Sequence, residues 1–219
     1  MLTGDDVQTG PQAKGGRRRS PDPERSRAEV LDAAFSLFAS KGFAASTIDD
    51  IARRAGVAKG LVLFHFKTKE GVFHEVIRRA IPTLLYEVEA TGRDDARSAA
   101  DLLRDALRQA YRAAVERPEA RAILRLLIAE GSRSPQLAAF YHSEIVTRGN
   151  AALTRIVRLG IERGEFDLTL DPNVSHVLLG PVIGAIFWRM LFEDVEPLDL
   201  DALCETHIAM TLNGLLRRA

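Results

Sequence analysis

The stretch that decides the fold is TIDDIARRAGVAKGLVLFHFKTKE, residues 47–70. Thr47 is a good helix N-cap, and Asp50 stands at the capping-box position, where Glu or Gln is more usual. Apolar residues then recur on one helical face until Gly56, which can adopt the left-handed conformation that ends a helix. A second helix of roughly two turns follows from Ala58. This is helix-turn-helix spacing, in which the second helix enters the major groove of DNA.

A plain helical hairpin within a bundle is the alternative interpretation of this stretch. Two features favour DNA binding. The second helix carries Leu61, Leu63 and Phe64 around its circumference, which is unusual for a short exposed helix unless a partner covers it. Cationic or titratable side chains also cluster around that helix, namely Lys59, His65, Lys67 and Lys69.

Three strings within residues 24–73 resemble the DNA-binding domain of TetR-type (tetracycline-repressor-like) bacterial regulators: EVLDAAFSLFASKGF, TIDDIARRAGVAKG and HFKTKEGVF. The remainder is similar to that family only in length and helical pattern. The resemblance implies an all-α, nine-helix architecture with an N-terminal three-helix helix-turn-helix domain and a C-terminal helical domain for ligand binding and dimerisation. One departure is Leu63, which stands where the family usually has Tyr.

The recognition helix is expected to read bases with its first turns. Lys59 can hydrogen-bond guanine O6 and N7, and Gly60 lets the backbone come close to the groove. Leu61, Leu63 and Phe64 can touch only thymine methyl groups. We therefore predict half-sites with a G contacted by Lys59 beside T-rich positions sensed by Leu61 or Phe64. The alternative is that one of these apolar residues, most readily Leu63, packs against the first helix and reads nothing.

Phosphate contacts are expected from His65, from Lys69 and from the start of the second helix at Thr47, where backbone N–H groups are exposed. Residues 1–22 are predicted to form a disordered arm that carries the basic string KGGRRRS at 14–20. That arm is either a solubilising tail or an electrostatic contact to DNA.

Composition and charge agree with a helical DNA-binding protein. The 219 residues are 46 % apolar and 6 % aromatic, which suits an all-helical chain that buries a sizeable core. The formal net charge of zero conceals an asymmetry. Residues 14–79 hold fourteen Lys or Arg against eight Asp or Glu, whereas residues 80–219 hold sixteen against twenty. Attraction to phosphates predicts such a basic N-terminal unit, although chance scatter of surface charge is the alternative.

We divide the chain into the arm 1–22, a helix-turn-helix domain 23–70 with its motif at about 47–66, and a helical effector-binding and dimerisation domain 71–219. Thr68 is expected to cap a fourth helix that bends at Pro82, and a loop is expected over 92–95. The remaining helices are predicted at about 98–116, 119–130, 135–163, 172–193 and 199–217.

The helix over 172–193 is apolar on more than one face, which implies a second partner. Gly180 and Gly184 lie one turn apart and allow another helix to approach. The resemblance implies that this helix and the last one form a four-helix dimer interface, to which Ile183 and Phe187 would contribute. The alternative is a helix buried within its own monomer.

No secretory signal is apparent in the chain, so a cytoplasmic location is expected. The most apolar run, Val177–Trp188, is 12 residues long and contains Pro181, which is too short to span a bilayer. Cys204 is alone in the sequence, so it is either a small core residue or a redox-sensing thiol.

No nucleophile elbow, phosphate loop or metal-spaced Cys/His cluster is present, so neither an enzyme, a cofactor nor a metal site is expected. The resemblance implies an effector pocket in the C-terminal unit. Its candidate lining residues, each of which could equally be plain core, are Ile81, Leu85, Leu107, Tyr111, Leu127, Phe140, Tyr141, His176 and Trp188.

The sequence therefore indicates a homodimeric repressor that binds a palindromic double-stranded DNA operator and is released by a small, apolar effector. One alternative is an activator or ligand-independent regulator gated by a protein partner, which a filled C-terminal core without a cavity would favour. Another is an enzyme carrying a helical nucleic-acid domain, which would need a polar cleft with perturbed acid and base groups.

Overall fold

A computed structural model describes residues 23–80, 96–167 and 173–216. These residues form nine consecutive helical runs, which confirms the predicted all-α architecture. The runs are α1 (Pro23–Lys41), α2 (Ile48–Ala55), α3 (Lys59–Phe66), α4 (Lys69–Ala80), α5 (Ala99–Tyr111, continued by a π-helical turn Arg112–Glu116), α6 (Pro118–Glu130), α7 (Pro135–Tyr141, a π-helical turn His142–Val146, then Thr147–Glu162), α8 (Val174–Leu191) and α9 (Leu200–Leu215). The predicted arm 1–22 with its basic string 14–20, the bend at Pro82, the loop 92–95, and Ile81 and Leu85 lie outside the described residues.

An N-terminal core holds α1 to α4 together. Three aromatic rings lie at its centre: Phe38 is 5.3 Å from Phe43 and 5.9 Å from Phe73, centroid to centroid, and Phe43 is 5.4 Å from Phe73. Buried side chains of α6 and α7 complete it, namely Ile123, Leu126 and Leu137. The predicted domain boundary between residues 70 and 71 therefore does not separate two hydrophobic cores. The N-terminal core contains residues from both sides of it.

A C-terminal core joins α5, α7, α8 and α9. Its largest buried members include Leu102, Leu103, Leu107, Ile156, Leu178, Val182, Ile186, Ile208 and Leu212. Cys204 is buried in the same core, and this burial raises the pKa of its thiol. A buried thiol with a raised pKa is typical of a core residue and not of a redox sensor.

The apolar helix α8 is longer than the 12-residue run Val177–Trp188 that the sequence indicates. It has 18 residues with a mean hydropathy of 1.5, so by length and composition alone it could cross a membrane. One third of it is buried inside the chain, where Leu178, Val182 and Ile186 pack in the C-terminal core. A core helix of a globular protein has the same length and composition.

Candidate nucleic-acid interface

The start of α2 is fixed by a complete capping box. The backbone N–H of Asp50 donates to Thr47 Oγ1 (3.1 Å), and the N–H of Thr47 donates to Asp50 Oδ2 (3.2 Å). The Lys41 ammonium donates to the same carboxylate oxygen at 3.0 Å, and this hydrogen bond is the main reason that the pKa of Asp50 falls to about 2. One of the backbone N–H groups predicted to bind a phosphate is therefore already occupied, because the N–H of Thr47 donates to Asp50.

The turn between α2 and α3 sets the angle of the recognition helix. Gly56 has a φ of 68°, in the left-handed region that a side chain disfavours, and it ends α2. Val62 and Phe66 are buried in the N-terminal core. Since these two residues are four apart on α3, they hold one face of the helix inward and leave the other face to solvent.

The outward face of α3 carries most of the predicted base-reading residues. Phe64 is 69 % exposed and Leu63 is 37 % exposed, while Lys59 and Gly60 are also exposed. A Cβ placed on Gly60 would meet no atom within 4 Å. Leu61 is only half-buried and lies between the core and the surface. The structure thus brings four of the five residues to one exposed surface, which we call the reading surface (Lys59, Gly60, Leu63 and Phe64).

The two predicted side-chain phosphate contacts have other surroundings. The Lys69 ammonium donates to the carbonyl oxygens of Phe43 (2.8 Å), Ser46 (2.9 Å) and Ala44 (3.4 Å), and it lies 4.3 Å from the centroid of the Phe43 ring. A phosphate would have to displace at least one of these carbonyls. His65 is half-buried, and its Nε2 is enclosed without a hydrogen-bond partner among the described residues.

Two charged residues that contact the reading surface are not among the predicted site residues. Asp49 lies with its Oδ2 2.8 Å from the Lys59 ammonium. Lys67 has a φ of 65° at the end of α3, and its ammonium lies 5.6 Å from the centroid of the Phe64 ring. The sequence places both near the motif. Their contacts depend on the angle between α2 and α3, which no local pattern specifies.

The predicted effector residues that the structure describes fall in different parts of the chain. Leu107 and Tyr111 are buried in the C-terminal core, whereas Leu127, Phe140 and Tyr141 pack against the N-terminal core. His176 is exposed, with its Nε2 3.4 Å from Asn150 Nδ2, and the Trp188 indole N–H donates to the Glu196 carbonyl at 2.9 Å. A shared effector lining stays a prediction, because helical periodicity shows that a residue faces inward but not which core it joins.

Two other features of the chain, a buried polar pair and a cleft, could serve a ligand. Tyr111 Oη lies 3.3 Å from His207 Nδ1, a buried polar pair between α5 and α9. Burial raises the pKa of Tyr111 to about 12 and lowers the pKa of His207, so both groups are neutral at pH 7. A cleft of about 440 Å³ lies between α1, α4 and α6, and its lining comprises Leu31, Asp32, Phe35, Val76, Arg79, Arg117 and Glu119.

The predicted dimer residues form an exposed surface on α8. Ile183 and Phe187 are among the exposed large apolar residues of the chain, and a Cβ on Gly180 or Gly184 would meet nothing within 4 Å. Met210 of α9 is also exposed. We call Gly180, Ile183, Gly184 and Phe187 the α8 face. It is open in the single chain, so these residues are not buried within their own monomer.

A capped helix, a glycine turn and an exposed second helix on a shared core define a helix-turn-helix DNA-binding protein. The family matched over residues 30–76 is "Bacterial regulatory proteins, tetR family", and the one matched over residues 93–209 is "Tetracyclin repressor-like, C-terminal domain". The second match alone spans more than half of the chain. The protein belongs to the TetR family of bacterial DNA-binding transcriptional regulators.

Named relatives match most of the chain. It is 30 % identical over 185 residues to the uncharacterized HTH-type transcriptional regulator YdeS of Bacillus subtilis, covering 84 % of this chain and 86 % of the relative. The HTH-type transcriptional repressor KstR2 of Rhodococcus jostii is 26 % identical over 193 residues, with coverage of 86 % and 90 %. The HTH-type transcriptional regulator SrpR of Pseudomonas putida is 26 % identical over 184 residues, with coverage of 82 % of each chain.

Solved structures share the fold. A SmeT–triclosan complex has a TM-score of 0.74 at 23 % identity, covering 89 % of this chain and 93 % of that one. FadR from Bacillus subtilis in complex with stearoyl-CoA has a TM-score of 0.69 at 22 % identity, with coverage of 85 % and 98 %.

Proposed function

We propose that the protein is a cytoplasmic, homodimeric repressor that binds a palindromic operator and is released by a small apolar effector, with no catalytic step of its own. The observation that carries this proposal is the exposed reading surface on a recognition helix anchored by Val62 and Phe66. In such proteins, two recognition helices enter successive major grooves about 34–36 Å apart. A dimer through the α8 face would supply the second helix.

The cleft between α1, α4 and α6 supports a ligand-responsive protein because it offers a candidate site for a small molecule. Its volume of about 440 Å³ lies within the range of about 300–1,000 Å³ that is typical of small-molecule sites. Leu31, Phe35 and Val76 give it an apolar floor, and Arg79 and Arg117 stand at its polar wall. A ligand held there would touch α1 and α4 of the N-terminal unit together with α6, so binding could change the position of the DNA-reading helices.

Two of the structural neighbours support an apolar effector by analogy. SmeT is described in complex with triclosan, and FadR from Bacillus subtilis is described in complex with stearoyl-CoA. Both ligands have a large apolar part. We propose the same class of effector for this chain. It would bind within the C-terminal core or in the cleft between α1, α4 and α6.

Genome-wide DNA binding by the full chain, with and without candidate apolar metabolites, tests this proposal. We expect a small set of palindromic sites that overlap promoters, and loss of those sites when the effector is added. A Lys59→Ala, Phe64→Ala double variant is the matched control and should show no sites. Sites that persist with every small molecule but vanish with a cell protein would support the partner-gated alternative. Transcription that rises with the bound protein would show an activator.

Methyl readout by the recognition helix is a further prediction. Replacing every half-site thymine by uracil removes only the methyl group that Leu63 or Phe64 would touch. We expect a loss of about fourfold in affinity for each contacted methyl, since burial of such a group contributes about 0.8 kcal/mol. Fluorescence anisotropy with the two operators measures it.

The Phe64→Ala variant provides the control for that experiment. It should bind the thymine operator more weakly and show a smaller loss on replacement by uracil. An unchanged affinity of the wild-type protein for the uracil operator would contradict methyl readout and leave Lys59 and DNA shape as the source of discrimination.

A further inference from the structure

Lys59 and Asp49 meet beside the reading surface. The Lys59 ammonium lies 2.8 Å from Asp49 Oδ2, and the two side chains are 54 % and 57 % exposed. Lys59 is the first residue of α3, and the N-terminal residues of a recognition helix are those that contact base edges. Asp49 lies in the first turn of α2 and reaches across the turn to it. A hydrogen-bond donor and an acceptor therefore stand side by side in solvent where the groove is expected.

The separation of these two groups matches the edge of a base pair. In the major groove, guanine presents the acceptors O6 and N7, and its cytosine partner presents the N4 amino donor. Guanine O6 and cytosine N4 are hydrogen-bonded to each other and so lie about 2.9 Å apart. An ammonium and a carboxylate oxygen 2.8 Å apart can face this edge together. Lys59 then donates to O6 while Asp49 accepts from N4, and their own ion pair stays intact.

We infer that Lys59 and Asp49 read one G·C pair as a unit, and that Asp49 is a specificity-determining residue. The inference rests on the proposed function, which places α3 in the major groove. A lone lysine has a long flexible stem and can reach guanine in either orientation of the pair. With Asp49 present, a reversed pair sets an amino donor against the ammonium and acceptors against the carboxylate.

Thymine and adenine offer the same order of acceptor and donor, through thymine O4 and adenine N6. Guanine is nevertheless preferred, because its N7 provides a second acceptor for the Lys59 ammonium. The carboxylate also repels phosphates, but that repulsion is the same at every sequence. Two operators that differ in one base carry the same phosphate charge. A difference in their affinities therefore reports base readout and not this repulsion.

The test begins with an operator selected from random DNA by the full-length wild-type protein. Its affinity is then compared with that of the same operator in which the cytosine opposite the contacted guanine is replaced by a 2-pyrimidinone analogue lacking the N4 amino group. We expect the wild-type protein to lose roughly tenfold in affinity when both half-sites are changed. The Asp49→Ala variant should lose less than about twofold on the same replacement.

The Glu29→Ala variant is the matched control, because it removes another exposed carboxylate that is ion-paired (Arg25 Nε to Glu29 Oε1, 2.9 Å) but lies on α1. It should retain the roughly tenfold loss. Equal losses for the wild-type and Asp49→Ala proteins, or no loss for the wild-type protein, would overturn the inference while the operator binding itself stands. Failure to select any operator would instead contradict the proposed function.

Discussion

Phe187→Asp on α8 is expected to convert the proposed dimer into a folded monomer. The Phe187 side chain is 45 % exposed in the single chain, so a charge there leaves the C-terminal core intact. In a dimer the same carboxylate would be buried against a second apolar helix without a partner, which is strongly unfavourable. Size-exclusion chromatography with light scattering measures the mass, and circular dichroism checks that the helices remain.

The same variant should weaken operator binding by about a hundredfold. A dimer delivers its second recognition helix at a high effective concentration, and this effect is worth about 10² to 10⁴ in affinity. The Ile128→Asp variant is the control, because Ile128 is also an exposed large apolar residue but lies on α6, outside the α8 face. It should remain dimeric and bind DNA normally. A Phe187→Asp protein that stays dimeric would place the interface elsewhere.

Local sequence signals located the helix-turn-helix correctly because each depends on residues within one or two turns. The capping box at Thr47 forms with Asp50 even though Glu or Gln is more usual. The left-handed Gly56 and the buried Val62 and Phe66 also follow from short-range pattern. Helix bounds agree within about two residues, which is the usual uncertainty of helix ends.

Contacts between distant elements could not be predicted from the same signals. Ile123, Leu126 and Leu137 have ordinary helical periodicity, yet they pack with Phe38 and Phe73 across the predicted domain boundary. The periodicity of a helix states which face is buried and leaves open the element that buries it. The predicted effector residues fall in different parts of the structure for this reason, and the contact between Asp49 and Lys59 could not be predicted for the same reason.

In the structure, Lys69 makes contacts that differ from the phosphate contact predicted from its position in the sequence. From the sequence alone, a lysine beside the recognition helix is predicted to bind a phosphate. In the structure its ammonium holds the carbonyl oxygens of Phe43, Ala44 and Ser46, which form the connection between α1 and α2. It also lies 4.3 Å from the centroid of the Phe43 ring. The side chain thus fixes the segment from which α2, and through it α3, is presented to DNA.

The Lys69→Ala variant is therefore expected to lose stability as well as DNA affinity. Removal of a charged donor from part-buried carbonyls should lower the free energy of unfolding by about 2 kcal/mol, the usual contribution of a hydrogen bond to a charged group. The loss should appear in urea denaturation as a lower midpoint with an unchanged slope. Operator affinity should fall because the α1–α2 connection no longer holds the reading surface in place.

The Lys67→Ala variant separates this structural role from direct phosphate contact. Lys67 is exposed at the end of α3, and among the described residues its ammonium contacts the Phe64 ring, so its removal takes away one positive charge without disturbing the carbonyls that Lys69 holds. Lys67→Ala should flatten the salt dependence of DNA binding by about one unit for each contact removed and leave the denaturation midpoint unchanged. If Lys69→Ala behaves in the same way, its ammonium leaves the carbonyls for a phosphate in the complex. A lower midpoint with an unchanged salt slope shows that Lys69 acts by holding α2 and α3.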